Sequence, residues 1–489
     1  MSGMTRRTFV GAAAGAVVLG PRAATTAAAT RRRRAPVVTE ELLWAWNERV
    51  ADGGPRLTGN AAHGRYVEFL AHELEKRRFV VQRDHLSLTR WEPLAWSLTA
   101  NGNDIPLAFY YPYSGVTPAG GVTGQLVHLG ESPVNAWPAA AGRIAVVEVP
   151  DIALPTSALF PEKGRYPHDA RSPEPLLTSP GVNDIFVGPL LAAAKDAGVL
   201  GVVCVRQGIS DAYAADQYSP FTTGYQGCPA VWAVPSQASR LRALALQGAT
   251  ATLTMHATLT KGAPTDTLYA ILPGSDPSGE AVVINTHTDG PNVPEENGGL
   301  GLLALADRFH RVPRSRRRRT LVFLFATGHF QLPQFATSLG QASSRWIAMH
   351  PDLTKRTVAA LTLEHLGCQE WLDNATHTTY APDGRNEPGF CFTTTDAMTR
   401  VYLKACEGTA NTRTFAATPT IYVGEGQPFY NSNIATISLI PGMTYLVAAA
   451  KDGAIGRLSS KLMWGQVDTF ANVVTALDRL DAAAIGKPR

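Results

Sequence analysis

The hydrophobic pattern of the chain changes character three times. Apolar positions recur at helical spacing over 38–51 and 61–78, where Tyr66, Phe69, Leu70, Leu74 and Phe79 share one face. A turn at 54–60 separates these two predicted helices, and a β-rich passage runs from 80 to about 96. Residues 100 to about 262 are rich in glycine, proline and serine, and short apolar runs at 144–149 and 201–205 flank a predicted helix near 187–197. From Thr267 onward, apolar runs at 281–286, 320–326, 358–363 and 434–440 alternate with helical periodicity at 299–310, 396–408 and 460–482. Strands alternating with helices predict an α/β fold with a mostly parallel central sheet and helices on both faces. The domain organisation expected is a leader and basic linker at 1–34, a first part of the main domain at 35–100, a β-rich insertion at 101–262, and the main part at 263–489. There is no internal repeat.

Composition narrows the picture. With 489 residues, 45% hydrophobic and 17% charged, the chain is globular and long enough for two domains. The N-terminus carries the pair Arg6-Arg7, a mild apolar stretch from Val10 to Gly20, and the small-residue run Ala27-Ala28-Ala29. These features predict a twin-arginine export signal, hence an extracellular or cell-wall-associated protein. Seven of the 44 basic residues lie in 1–34, so 37 remain against 40 acids, and the near-neutral body gives no case for nucleic acid. No later apolar run is long enough to span a membrane. The run Arg316-Arg317-Arg318-Arg319 reads as a solvated loop entering the strand at 320–326. Of the five cysteines, Cys204 and Cys228 are the candidate bridge.

Candidate chemistry gathers at predicted strand ends, where ligands bind in parallel sheets. The run 281–286 ends in His287-Thr288-Asp289, and Glu295-Glu296 follow shortly after. An imidazole with nearby carboxylates suits a divalent metal; the same residues also read as a strand-end histidine and a loop-capping aspartate. His329 lies just beyond the strand at 320–326, and Glu364-His365 ends the strand at 358–363. Three strands thus deliver His287, His329 and Glu364 to one rim. His365, next along a regular strand, is expected to face away from Glu364.

Here the chain resembles the secreted zinc aminopeptidases related to bacterial leucyl aminopeptidases and glutamate carboxypeptidase. Arg56-Leu57-Thr58-Gly59 before a long helix is similar to the family's start. Gly121-Val122-Thr123-Gly124 and the helix–strand unit at 191–205 resemble an inserted protease-associated domain. Tyr269-Ala270-Ile271-Leu272-Pro273-Gly274 resembles the approach to the catalytic His-x-Asp, and Gly424-Glu425-Gly426-Gln427-Pro428-Phe429 the loop before the last strand. The resemblance implies a zinc peptidase fold and a first zinc held by His287, by Glu295 or Glu296, and by Glu364, with glutamate where the family uses aspartate. Where the family places a general base and a second-zinc ligand, this chain has His329 and Phe330. Near the last histidine ligand it has Val447. The resemblance therefore implies one zinc ion or none.

The expected function is hydrolysis of peptide or small amide bonds by a single-metal site. His287, Glu295 or Glu296, and Glu364 would be ligands and His365 a spare one; His329 would move protons, with Asp289 supporting it. The alternative is a catalytically silent binding protein. A third reading, a serine hydrolase built on Gly208-Ile209-Ser210-Asp211-Ala212, rests on an approximate motif inside the insertion.

Overall fold

In the strand Ala281–His287, Val282 and Ile284 enter one hydrophobic core while Ala281 and Val283 enter another on the opposite face. Its neighbour Thr320–Ala326 does the same, with Leu321, Phe323 and Phe325 on the first face and Val322 and Leu324 on the second. An unbroken apolar run is thus a strand covered from both sides. Each large aliphatic side chain so buried contributes about 1.5–3 kcal/mol. The first face is covered by the helices Glu40–Ala51, Ala61–Lys76, Gly298–His310 and Ser460–Leu477, the second by shorter helices that bring Trp346, Ile347 and Phe429.

The computed structural model describes residues 35–489, and the expected export leader lies outside them. Ala281–His287 pairs in parallel with Thr320–Ala326 on one side and Thr357–Leu363 on the other, and Thr357–Leu363 pairs in parallel with Ala435–Pro441. These strands belong to one 15-stranded mixed sheet. Its other half is built from 107–253, where Val122–Glu131, Ile144–Val149, Gly201–Arg206 and Ala230–Ala233 run parallel around a hydrophobic core of their own. Two long strands, Val81–Ala100 and Thr250–Leu272, pair antiparallel and carry the chain from one half to the other.

Several expectations change. The helix near 187–197 is two helices, Pro180–Val187 and Leu191–Asp196, because Pro189 lacks an amide donor and disfavours helical backbone at Gly188. Segment 151–178 does not stay with the strands on either side of it in the chain: its strand Glu162–Tyr166 pairs antiparallel with Thr414–Ala417 at the opposite edge of the same sheet. The arginine run is not a solvated loop. Arg319 is buried and binds Glu280 and the carbonyl of Leu477, while Arg317 binds the carbonyls of Phe309, Val312 and Pro273. The amides of Arg318 and Arg319 donate to Asp478, fixing the end of Ser460–Leu477 short of the expected 482. All five cysteines are buried and free, so Cys204 and Cys228 form no bridge. Among the described residues no helix is long and apolar enough to cross a membrane.

Candidate metal centre

His287 is the last residue of its strand and is fully buried. Its Nδ1 lies 2.9 Å from the carbonyl oxygen of Asp289. A carbonyl only accepts, so Nδ1 carries the proton and Nε2 is left with a lone pair and no partner. Burial, reinforced by the charge of His329, pushes the His287 pKa down to about 4, so the ring is neutral at pH 7.

Glu295 reaches the same point from the short helix Val293–Glu296. Asn292 anchors that turn: its side-chain oxygen accepts from the Glu295 amide, and its side-chain amide donates to the carbonyls of Tyr445, Leu446 and Ala448. Oε1 of Glu295 lies 4.0 Å from His287 Nε2, and Oε2 lies 3.3 Å from His365 Nδ1. Glu364 directly follows the strand Thr357–Leu363. Its Oε1 accepts from the Glu425 amide at 3.0 Å, and Oε2 lies 4.0 Å from His365 Nε2. Burial pushes the Glu364 carboxyl up to about 7, against the opposing pull of His365 and His329.

His365 does not face away from this group. Its backbone is left-handed, φ 56°, so the strand alternation has ended and the ring turns back beside Glu364 and Glu295. His287 Nε2, Glu295 Oε2, Glu364 Oε2 and His365 Nδ1 are all buried without a hydrogen-bond partner. Leaving such atoms unsatisfied costs about 1–3 kcal/mol each. His287, Glu364 and His365 offer ligand atoms within 4.8 Å of one another, as do His287, Glu295 and His329. The two triads share His287, and each combines imidazole nitrogen with carboxylate oxygen, a donor chemistry that fits a zinc ion.

The other expected residues lie elsewhere in the network. Glu296 turns away to a buried ion pair with Arg56 Nε. Arg56 also donates to the carbonyl of Val50 at 2.8 Å, and burial lowers its pKa to about 10. Asp289 caps the next loop: Oδ1 accepts from the amides of Gly328 and His329, and Oδ2 from the Phe330 amide and the Thr58 hydroxyl. With four bonds made, its carboxylate is a positioning group. Gly328 has φ 102°, and a Cβ there would sit 2.3 Å from the Phe335 ring, so this turn requires glycine.

That turn presents His329, whose ring stacks on His287 with centroids 4.2 Å apart and 13° between planes. Its Nδ1 donates to Glu425 Oε1 at 2.8 Å. Burial opposes charge on His329, but the bond to Glu425 and the charges of Glu425, Glu364 and Glu295 prevail and raise it to about 9. Glu425 also accepts from the amides of Ala342 and Ser343, and these bonds with His329 hold its carboxyl low despite burial. Sequence reading did not select Glu425; its signal was an acid between two glycines just ahead of the last strand. Phe330, next to His329, is buried with its ring 4.9 Å from Phe221 and 5.8 Å from Tyr218, in one core with Val447. Ser210 is buried and caps the helix Asp211–Ala214, accepting from the Tyr213 amide.

No protein-family model and no curated protein matches the chain. Solved structures do. A zinc aminopeptidase from Bacillus subtilis superposes with a TM-score of 0.60 at 16% identity, covering 93% of this chain and 100% of its own. An aminopeptidase from Aneurinibacillus sp. strain AM-1 gives 0.59 at 14% identity, covering 92% and 94%. A peptidase M28 precursor from Shewanella amazonensis gives 0.63 at 12% identity, covering 91% and 98%. Likenesses of this extent at low identity establish the architecture: the chain has the α/β fold of these zinc aminopeptidases and M28 peptidases.

Proposed function

We propose that this chain is an exported metal-dependent hydrolase of peptide or small amide bonds, working with one zinc ion held by His287, Glu295 and Glu364, with His365 as a fourth ligand group. The observation that carries this reading is the gathering about His287 of buried nitrogen and oxygen atoms that make no hydrogen bond, just beyond the carboxyl ends of parallel strands. The fold likeness to zinc aminopeptidases supports it, as does the twin-arginine pair, since that route carries proteins already folded. A bound zinc supplies a Lewis acid and brings the pKa of water towards neutrality.

The chain's own residues supply the rest. The Asp289 carbonyl orients His287 so that Nε2 faces the ligand group. Glu425 orients His329 through Nδ1 and favours its charged form, so Nε2 carries a proton at neutral pH that it can give to the leaving group and then recover. Asp289 holds the loop that carries His329. Phe330 and Val447 stand where the related enzymes are expected to bind a second zinc, and their apolar packing supports one ion rather than two. Without that ion, capture of a substrate α-amine weakens, so the reading is peptide or amide hydrolysis without a strict demand for a free N-terminus. Segment 101–262 would be a protease-associated domain whose Phe221 lies over His329, with ring centroids 5.9 Å apart.

The replacement of the second-metal positions equally suits a catalytically silent relative that binds peptide. Substituting Glu364→Ala separates the readings when zinc content and hydrolysis of peptide amides are measured together. The hydrolase reading expects both to fall. If both are unchanged, Glu364 has no part in a metal centre and the reading is lost. Absence of zinc and of hydrolysis in the unaltered protein would favour the silent relative.

A further inference from the structure

Away from the candidate metal centre, two adjoining cavities lie where segment 151–178 crosses back to the main sheet. The larger, about 300 Å³, is walled by Phe160, Phe390 and Phe415. Phe160 stacks flat on Phe390, with centroids 4.1 Å apart and 9° between planes. The smaller, about 70 Å³, shares Thr156, Pro173, Glu174 and Phe390 with it and is lined by Trp371, Glu370 and Glu387. An aromatic cleft therefore opens beside a small acidic recess.

The carboxyls of the recess are not equivalent. Glu370 binds Arg413 at 2.6 Å and Arg385 at 2.9 Å. Asp383 pairs with Arg385, and Glu174 lies 3.6 Å from both Arg171 and Arg385. Glu387 is left over. It is 7% exposed, and its Oε2 is enclosed without a hydrogen-bond partner among the described residues. Burial, with the charge of Glu370 adding to it, raises its pKa well above the usual carboxylate value, so the site favours the protonated form when no cation is near. A buried carboxyl without a partner costs stability unless it has a use.

We propose that this cleft binds an organic ammonium compound, its hydrocarbon or aromatic body in the larger cavity against the wall formed by Phe160, Phe390 and Phe415 and its ammonium head towards Glu387. An anion is disfavoured because the guanidiniums present are already matched to carboxylates. A hydrated inorganic cation would gain nothing from the aromatic walls, whereas an amine gains both apolar burial and attraction to the ring faces. Binding favours ionisation: a protonated Glu387 releases H⁺ to solvent and the resulting carboxylate pairs with the ammonium. The site stands independently of the proposed hydrolysis.

Calorimetric titration of the mature protein with 2-phenylethylamine tests this. The expected result is one saturable site per chain, with proton release seen as a dependence of the heat on buffer ionisation enthalpy at neutral pH. Phenethyl alcohol, which lacks the charge, should bind at least about tenfold more weakly. Glu387→Gln should weaken amine binding by a similar factor, and Glu295→Gln, in the candidate metal centre, should leave it unchanged. Phe160→Ala removes one wall and should weaken binding whether or not Glu387→Gln folds. The proposal is overturned by absence of saturable binding, by equal binding of amine and alcohol, by unchanged binding in Glu387→Gln or Phe160→Ala, or by loss of binding in Glu295→Gln.

Discussion

His329 donates its Nδ1 proton to Oε1 of Glu425 across 2.8 Å, joining the loop after one central strand to the loop before another. The same carboxylate accepts from the amides of Ala342 and Ser343, so it is held from three sides. Glu425→Gln keeps the shape and one acceptor oxygen but removes the charge that fixes the imidazole. Loss of such an orienting partner costs on the order of 10–100-fold in activity. We expect kcat/KM for peptide amides to fall in that range while zinc content holds. An unchanged kcat/KM would remove His329 from the proposed proton transfer.

Glu295 and Glu296 are adjacent in sequence and opposite in circumstance. Glu295 faces His287 and His365; Glu296 neutralises the buried Arg56. Removing one partner of a buried ion pair leaves an uncompensated charge and costs about 3–5 kcal/mol. Glu296→Gln should lower the unfolding free energy by that order and retain zinc, whereas Glu295→Gln should lose zinc. Urea unfolding and elemental analysis of the two variants read this directly, and the reverse result would exchange their roles.

The difference between these two glutamates shows where sequence reading stops. The strands at 281–287 and 320–326 were legible because burial on both faces demands an unbroken apolar run. Their ends then located His287, His329 and Glu364. The choice between Glu295 and Glu296 depends on Arg56, 240 positions away, and the role of Glu425 on a partner 96 positions away. His365 depends on one left-handed residue that no periodicity encodes. The edge strand Glu162–Tyr166, sequence EKGRY, has no apolar alternation and exists because its backbone completes the ladder with Thr414–Ala417.

Glu387 gives the stability a pH dependence of definite sign. Burial raises its folded-state pKa well above the ordinary glutamate value of 4.5, with Glu370 and Asp383 adding to the rise and Arg413 and Arg385 opposing it. Between the unfolded and folded values the native state binds more protons. This contribution is therefore fully present below about pH 4.5 and is lost as pH rises through the folded pKa. Glu387→Gln removes the titrating group, so it should gain stability relative to the parent as pH rises from 4.5 towards 8. Thermal unfolding of both proteins across that range tests the sign; parallel curves would show that Glu387 is already ionised in the fold.

Phe330 tests whether the position beside His329 has become part of a core. Its ring is fully buried against Phe221 and Tyr218, and its backbone is pinned at both ends, the amide donating to Asp289 and the carbonyl accepting from the Tyr113 hydroxyl. A metal-binding position would tolerate loss of the ring once a ligand replaced it; a core position would not. Phe330→Ala leaves a cavity, and phenylalanine truncations in packed cores cost about 3–5 kcal/mol. We expect a loss of that order in urea unfolding with zinc content unchanged, because no proposed ligand is touched. A small loss would mean that the site collapses readily around the missing ring, and the case for a single ion built on that packing would fall with it.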